Sequence, residues 1–209
     1  MHGRWIEWLN RRVFYLGQDA MPSISAIFDA HLQAIHALRA RESSIQELGA
    51  QLITCLRYGN RIFLCGNGGS AADAQHIAAE MVCRFETNRR ALPAIALTTD
   101  TSALTAIGND FGYERVFARQ IEALARPGDL LIAISTSGNS GNVLAAVEQA
   151  DKMGVVTLGL LGGDGGRLLE RVAHALVVPA RETARVQECH ILIGHIWCGM
   201  IDEAFAETP

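Results

Sequence analysis

No stretch of this sequence approaches the ~18 consecutive apolar residues of a membrane-spanning helix. The longest apolar runs, Leu130–Ile134, Val155–Leu161 and Ile191–Met200, are short, and the last is interrupted by His195. A secretory signal needs an unbroken apolar segment, and the first twenty residues have none. There Trp5, Leu9, Val13 and Leu16 fall at helical spacing with Arg4, Arg11 and Arg12 between them. An amphipathic surface helix is one reading of that pattern. We take residues 1–20 as an upstream extension and Met21 as the start of the domain proper, with residues 21–209 forming one domain.

Paired cysteines are also missing. Cys55, Cys65, Cys83, Cys189 and Cys198 are odd in number, widely spread and without a CxxC spacing. A disulfide framework is therefore not expected, and a reducing cytoplasm fits. Basic excess is absent too: 18 Lys and Arg stand against 22 Asp and Glu, a net charge of −4. A general nucleic-acid binder usually needs a basic face, so that class is disfavoured. There is no linker-like or low-complexity stretch and no repeat at solenoid periods.

What is present is the composition of a core. Of 209 residues, 49% are hydrophobic and only 19% charged, enough to bury a full-sized interior. From Ser25 to about Tyr58 apolar residues recur at three and four (Ile27, Leu32, Ile35, Leu38, then Ile45, Leu48, Leu52, Leu56). Two helices are expected, with Ser44 as the cap of the second. Short apolar runs then alternate with helical periodicity. Strands are expected at 61–65, 94–97, 129–134, 155–161 and 175–178, with helices over 71–85, up to about Lys152, and over 185–205. Such alternation means a parallel sheet covered on both faces, a three-layer α/β domain with an N-terminal helical pair.

Two strand-to-helix turns carry anion-binding chemistry. Ser135-Thr136-Ser137-Gly138-Asn139-Ser140 packs four hydroxyls into six residues at the start of a helix. Free N–H groups and the partial positive charge of a helix N-terminus, with those hydroxyls, can hold a phosphate without Lys or Arg. Gly66-Asn67-Gly68-Gly69-Ser70 is a second turn of this kind, where glycines let backbone approach a ligand. Ser and Thr also cap helices routinely, and either turn alone reads that way. The hydroxyl density of the first favours an anion site. Neither is a Walker loop or a dinucleotide fingerprint, so nucleotide binding is not indicated. Gly162 to Gly166 reads as a plain loop.

Polar residues on apolar helices are the other signal. His76 and Glu80, four apart, lie about 40° apart on one helix face, suited to two metal ligands or to an acid/base pair. Gln187, Glu188, His190 and His195 interrupt the apolar last helix, where isolated polar groups need partners. For His190 we favour a hydrogen bond across a helix bundle or subunit interface.

Together these motifs resemble a known family. Cys65-Gly66-Asn67-Gly68-Gly69-Ser70 with Asp73-Ala74-Gln75-His76, Leu97-Thr98-Thr99-Asp100 with Ile107-Gly108-Asn109-Asp110, Ile134 to Ser140, and Val186-Gln187-Glu188 are similar to the sugar isomerase (SIS) domain family. Within it they resemble the branch acting on phosphorylated seven-carbon sugars, from about Met21 to Phe205. The resemblance implies a five-stranded parallel α/β/α sandwich, a homotetramer and active sites at subunit boundaries. It implies zinc held by His76, Glu80, Gln187 and His195. Substrate contacts are implied for Asn67, Gly68, Gly69, Ser70, Arg84, Asn109, Asp110, Ser135, Thr136, Ser137, Ser140 and Gln187, with the seryl turn on the phosphate. The implied reaction is aldose–ketose isomerisation of sedoheptulose 7-phosphate through an enediol, in heptose biosynthesis for lipopolysaccharide or a related glycoconjugate, with Glu80 and His195 catalytic. The rival is a non-catalytic SIS assembly factor that binds the replication initiator. Such proteins tend to lack the glutamate four after the histidine and the late-helix histidine, and both are present here. A sugar-phosphate-sensing regulator would need a DNA-binding domain for which this chain has no room.

Overall fold

The computed structural model describes residues 22–206; the expected extension over 1–20 lies outside them. The chain divides into two compact units, Met1–Gln33 and Ala34–Pro209. Helix α1 (Ile24–Arg39) begins in the first unit, where the Ser23 hydroxyl accepts the Ala26 N–H at 3.1 Å, and ends in the second. Helix α2 spans Glu42–Arg57. Its N-cap is Arg41, which makes no side-chain capping bond, so Ser44 lies inside the helix rather than capping it.

The core of the second unit is a sheet of β1 (Ile62–Cys65), β2 (Ala94–Ala96), β3 (Leu130–Ser135), β4 (Val156–Gly162) and β5 (His174–Val178). All pairings are parallel, in the order β2-β1-β3-β4-β5. Between strands run α3 (Gly69–Val82), α4 (Thr101–Phe111), α5 (Ala118–Leu124) and α6 (Gly141–Lys152), and α7 (Thr183–Phe205) closes the chain. The expected five-stranded α/β/α sandwich is thus what forms. Helix α3 starts two residues earlier and ends three earlier than its periodicity suggested, and residues 101–124 supply two helices that sequence reading had not delimited.

Alternation along the strands builds two cores. Ile62 and Leu64 of β1 face α2, α3 and α7, joined by Ile132, Leu158 and Leu176. Phe63 and Cys65 face the opposite way, toward α5 and α6, with Leu131, Ala133, Val143 and Val147. Strands buried on both faces need apolar residues at every position, which is why β1 and β3 read as unbroken hydrophobic runs. Four of the five cysteines are buried and all are free. Burial pushes the Cys55 thiol up to about 11 and Cys65 to about 12, so both are inert.

Strand order reverses between β1 and β3, and in open parallel sheets ligands bind beyond the carboxyl ends at that switch point. The two turns singled out above are the ones leaving β1 and β3.

Candidate active site

The first half of the site is these two turns. Asn67, leaving β1, and Asn142, in the first turn of α6, exchange reciprocal amide hydrogen bonds of 2.8 Å that lock the turns together. The Tyr113 hydroxyl donates to the same Asn67 oxygen at 3.4 Å. In the seryl turn, Ser135 and Ser140 hydroxyls lie 3.1 Å apart and Ser135 accepts the Gly138 N–H at 3.1 Å. Ser140 occupies the N-cap position of α6 yet makes no side-chain capping bond, and Gly68 at the N-cap of α3 has no side chain with which to make one. Helix α4 is the contrast: Asp100 accepts the Ala103 N–H at 2.9 Å and fills its own N-terminus with a carboxylate. Capping therefore accounts for Asp100 but not for the hydroxyls of the seryl turn, and the helix ends at the switch point keep their capacity for an anion.

Gly138 is obligatory in that turn. It has φ +64°, and a Cβ there would run into the Gly165 carbonyl. The Gly162–Gly166 loop, expected to be plain, is what backs the turn: Leu168 N–H donates to Gly138 O at 2.9 Å and Arg167 N–H to the Asn139 side chain at 3.1 Å. Beside it opens a cavity of about 410 Å³ lined by Thr136, Ser137, Gly162, Gly163, Asp164, Arg181 and Thr183.

The second half lies between α3 and α7, which run side by side. Gly194 permits their approach, since a Cβ there would stand 2.6 Å from the Ile77 side chain. His195 is thereby carried to His76. The His76 Nε2 lies 2.9 Å from Glu80 Oε1 and 3.3 Å from His195 Nε2, and His195 Nε2 is 3.5 Å from the same carboxylate oxygen. Two imidazole nitrogens and one carboxylate oxygen thus converge. Bonds of ~2.0–2.2 Å around a tetrahedral zinc require donor atoms roughly 3.3 Å apart, so the set has the right chemistry and spacing. The other Glu80 oxygen is a buried acceptor with no hydrogen-bond partner, as expected of a carboxylate with a further task.

The surroundings fix this triad. The Phe85 ring stacks on His195, centroids 5.4 Å apart and planes 15° off parallel. Burial raises the Asp73 carboxyl to about 6, a shift that nearby His76 opposes. Cys198 is pushed up by burial and by the neighbouring Glu80 carboxylate, which keeps it a thiol. His190 is fully buried, 3.1 Å from Leu161 O, and burial lowers its pKa to about 4. It is a neutral structural residue that donates to the carboxyl end of β4 rather than a ligand.

The remaining expected residues are dispersed. Gln187 lies within α7, eight residues before His195, a rise of ~12 Å. Its carboxamide packs on Gly69, at the start of α3. Asn109 and Asp110 end α4 and hydrogen-bond to each other at 2.8 Å, while Arg84 donates to Glu86 O at 3.2 Å. Among the described residues no hydrogen bond ties these three to the triad or the seryl turn.

The SIS domain profile matches residues 28–162. A phosphoheptose isomerase of Nitratiruptor sp. is 64% identical over 153 residues, covering 73% of this chain and 82% of the relative. The chain belongs to the SIS domain family and, within it, to the phosphoheptose isomerases. Solved relatives agree: the phosphoheptose isomerase of Neisseria gonorrhoeae has a TM-score of 0.80 at 43% identity, over 93% of this chain and 99% of that one. That of Francisella tularensis has a TM-score of 0.83 at 38% identity, over 86% and 96%.

Some residues of this SIS site were not anticipated. Asn142 bears the reciprocal amide bond and is 4% exposed, but a lone Asn near a helix start carries no distinguishing signal. Phe85, expected as the last residue of the helix over 71–85, sits instead in the loop that follows it, against His195. Arg181 precedes the last helix and Thr183 opens it, and both enter the cavity only because β4 ends and α7 begins beside it.

Proposed function

We propose that this chain isomerises sedoheptulose 7-phosphate to D-glycero-D-manno-heptose 7-phosphate. The observation that carries the reading is the triad: a carboxylate with one buried, unpartnered oxygen beside two imidazoles. In the ketose-to-aldose direction a base must remove a proton from C1, giving a 1,2-enediol, and return a proton to C2. Glu80 is the base. His195 moves the proton between O1 and O2, so that O1 becomes the aldehyde oxygen and O2 a hydroxyl. Zinc held by His76, Glu80 and His195, with Gln187 of a neighbouring subunit as the fourth ligand, would polarise those oxygens. The phosphate rests on Ser135, Thr136, Ser137 and Ser140, with Ser70 and the backbone of Gly68 and Gly69 opposite. Arg84, Asn109, Asp110 and Asn67 complete the substrate contacts.

Placement along α3 bears on assembly. Ser70 and Glu80 are ten residues apart, a rise of ~15 Å, so the anion turns and triad of one chain are distant parts of one helix. We therefore infer a homotetramer whose active sites combine residues of neighbouring subunits. An apolar groove of about 850 Å³, lined by Ile35, Leu38, Ile45, Ile53, Ile196 and Met200 among others, supports an assembly face. Among the described residues no helix is long and apolar enough to cross a membrane. We place the enzyme in the cytoplasm, making heptose for lipopolysaccharide core or a related glycoconjugate, with residues 21–209 as its catalytic unit.

The test is turnover of sedoheptulose 7-phosphate by purified protein, with zinc content measured on the same sample. Activity lost to a chelator and restored by zinc supports the reading. A folded, zinc-replete protein without turnover sinks it and returns weight to the replication-initiator assembly factor, which the intact triad and the isomerase relatives now disfavour.

A further inference from the structure

Seven residues after the end of α3 the chain buries an arginine. The Arg89 side chain has no exposure and that of Asp202, on α7, has 3%. Four of its five N–H groups are engaged: Nε donates to Asp202 Oδ1 at 2.9 Å, Nη1 to Met81 O at 2.9 Å and Arg90 O at 3.0 Å, and Nη2 to Glu80 O at 2.9 Å. The last carbonyls of a helix have no intrahelical partners, and Arg89 takes up those of α3. One of them is the carbonyl of Glu80 itself. Asp202 in turn accepts the N–H groups of Glu86 and Thr87, each at 2.8 Å, holding the loop from which Phe85 stacks on His195. Asp202 lies seven residues after His195, two turns along the same face of α7.

We propose that the Arg89–Asp202 pair is a positioning device for the triad. It sets the backbone of Glu80 against α7 and, through the 85–87 loop, the ring plane of His195. Folding alone gives weak reason for such a pair, because a buried ion pair seldom outperforms well-packed apolar residues of similar volume. A planar fork engaging three carbonyls and a carboxylate instead fixes two helices in register, which metal ligands require. Lysine, a single point charge, cannot reproduce that fork. The inference rests on the zinc reading of the triad.

The experiment compares R89K and D202N with R61K. Arg61 and Asp129 form a second ion pair, 2.8 Å apart, elsewhere in the fold, with Asp129 also accepting the Arg61 and Arg126 N–H groups. R61K therefore controls for general loosening. Zinc affinity is measured by chelator competition, beside kcat and KM. R89K and D202N are expected to bind zinc about 10- to 100-fold more weakly, the usual loss when a ligand's supporting partner is removed, with kcat falling alongside and KM nearly unchanged. R61K is expected to lower the melting temperature while keeping both. Should R89K fail to fold, D202N, equal in size to the native residue, decides the matter. Native zinc affinity and kcat in folded R89K or D202N overturn the inference alone, as does an equal loss in R61K. Wild-type protein that binds no zinc overturns the metal reading and this inference with it.

Discussion

The two halves of the site are built on different principles. The seryl turn is made from six consecutive residues at the end of one strand, so its chemistry is carried by neighbours in the chain. The triad joins His76 to His195 across 119 positions and exists only because α3 and α7 pack in parallel through Gly194. A local anion cradle tolerates loosening elsewhere in the molecule, whereas a three-point donor set depends on every contact that holds the two helices in register. Binding should therefore belong to the first region and chemistry to the second.

The largest effect is expected at Glu80. E80Q should reduce kcat by about 10²–10⁴-fold, the span typical of a lost general base, while circular dichroism and thermal melting stay near wild type. Near-normal turnover would remove Glu80 from the mechanism. H76A comes next: zinc affinity should drop by at least ~100-fold, more than for a supporting residue, with inorganic phosphate still binding at the turn. Loss of phosphate binding together with zinc would show that the regions are not separable. In the opposite sense, S137A should raise KM about 10- to 100-fold, the equivalent of one hydrogen bond to a charged group, and leave kcat within a few-fold. If kcat falls instead, the turn takes part in the chemistry.

The smallest effect concerns stability alone. His190 has its folded pKa lowered to about 4 against an ordinary 6.5, chiefly by burial. Above pH 6.5 both folded and unfolded states hold it neutral and it adds no slope. Between pH 6.5 and 4 the unfolded chain takes up the proton first, so stability falls by about 3 kcal/mol as the pH drops through that window. H190L should flatten this part of the stability profile in urea titrations at several pH values. An unchanged profile would mean that another group titrates there.

Legibility followed the same division. The five strands, the turns that follow β1 and β3 and the His76–Glu80 face could be read directly, since each depends on residues within about a turn of one another. Resemblance to relatives added His195, whose partner lies on another helix. Ser44 was misjudged because capping chemistry is permissive: the helix began at Glu42, and the serine became an interior position. Arg89 and Asp202 carried no signal, because a charged residue in a polar loop or near the end of a helix reads as solvated until the fold buries it.

By itself, then, the sequence determined the alternation of apolar strands with amphipathic helices, and hence a parallel sheet, and the hydroxyl-rich turn at a strand's carboxyl end. Short-range sterics and periodicity suffice for these. The tertiary structure alone decided that β1 and β3 are neighbours, that His195 meets His76 and Glu80, and that a buried ion pair holds the two helices bearing them. Those are relations between surfaces far apart in the chain, and they are settled only when burial of the common core selects one packing.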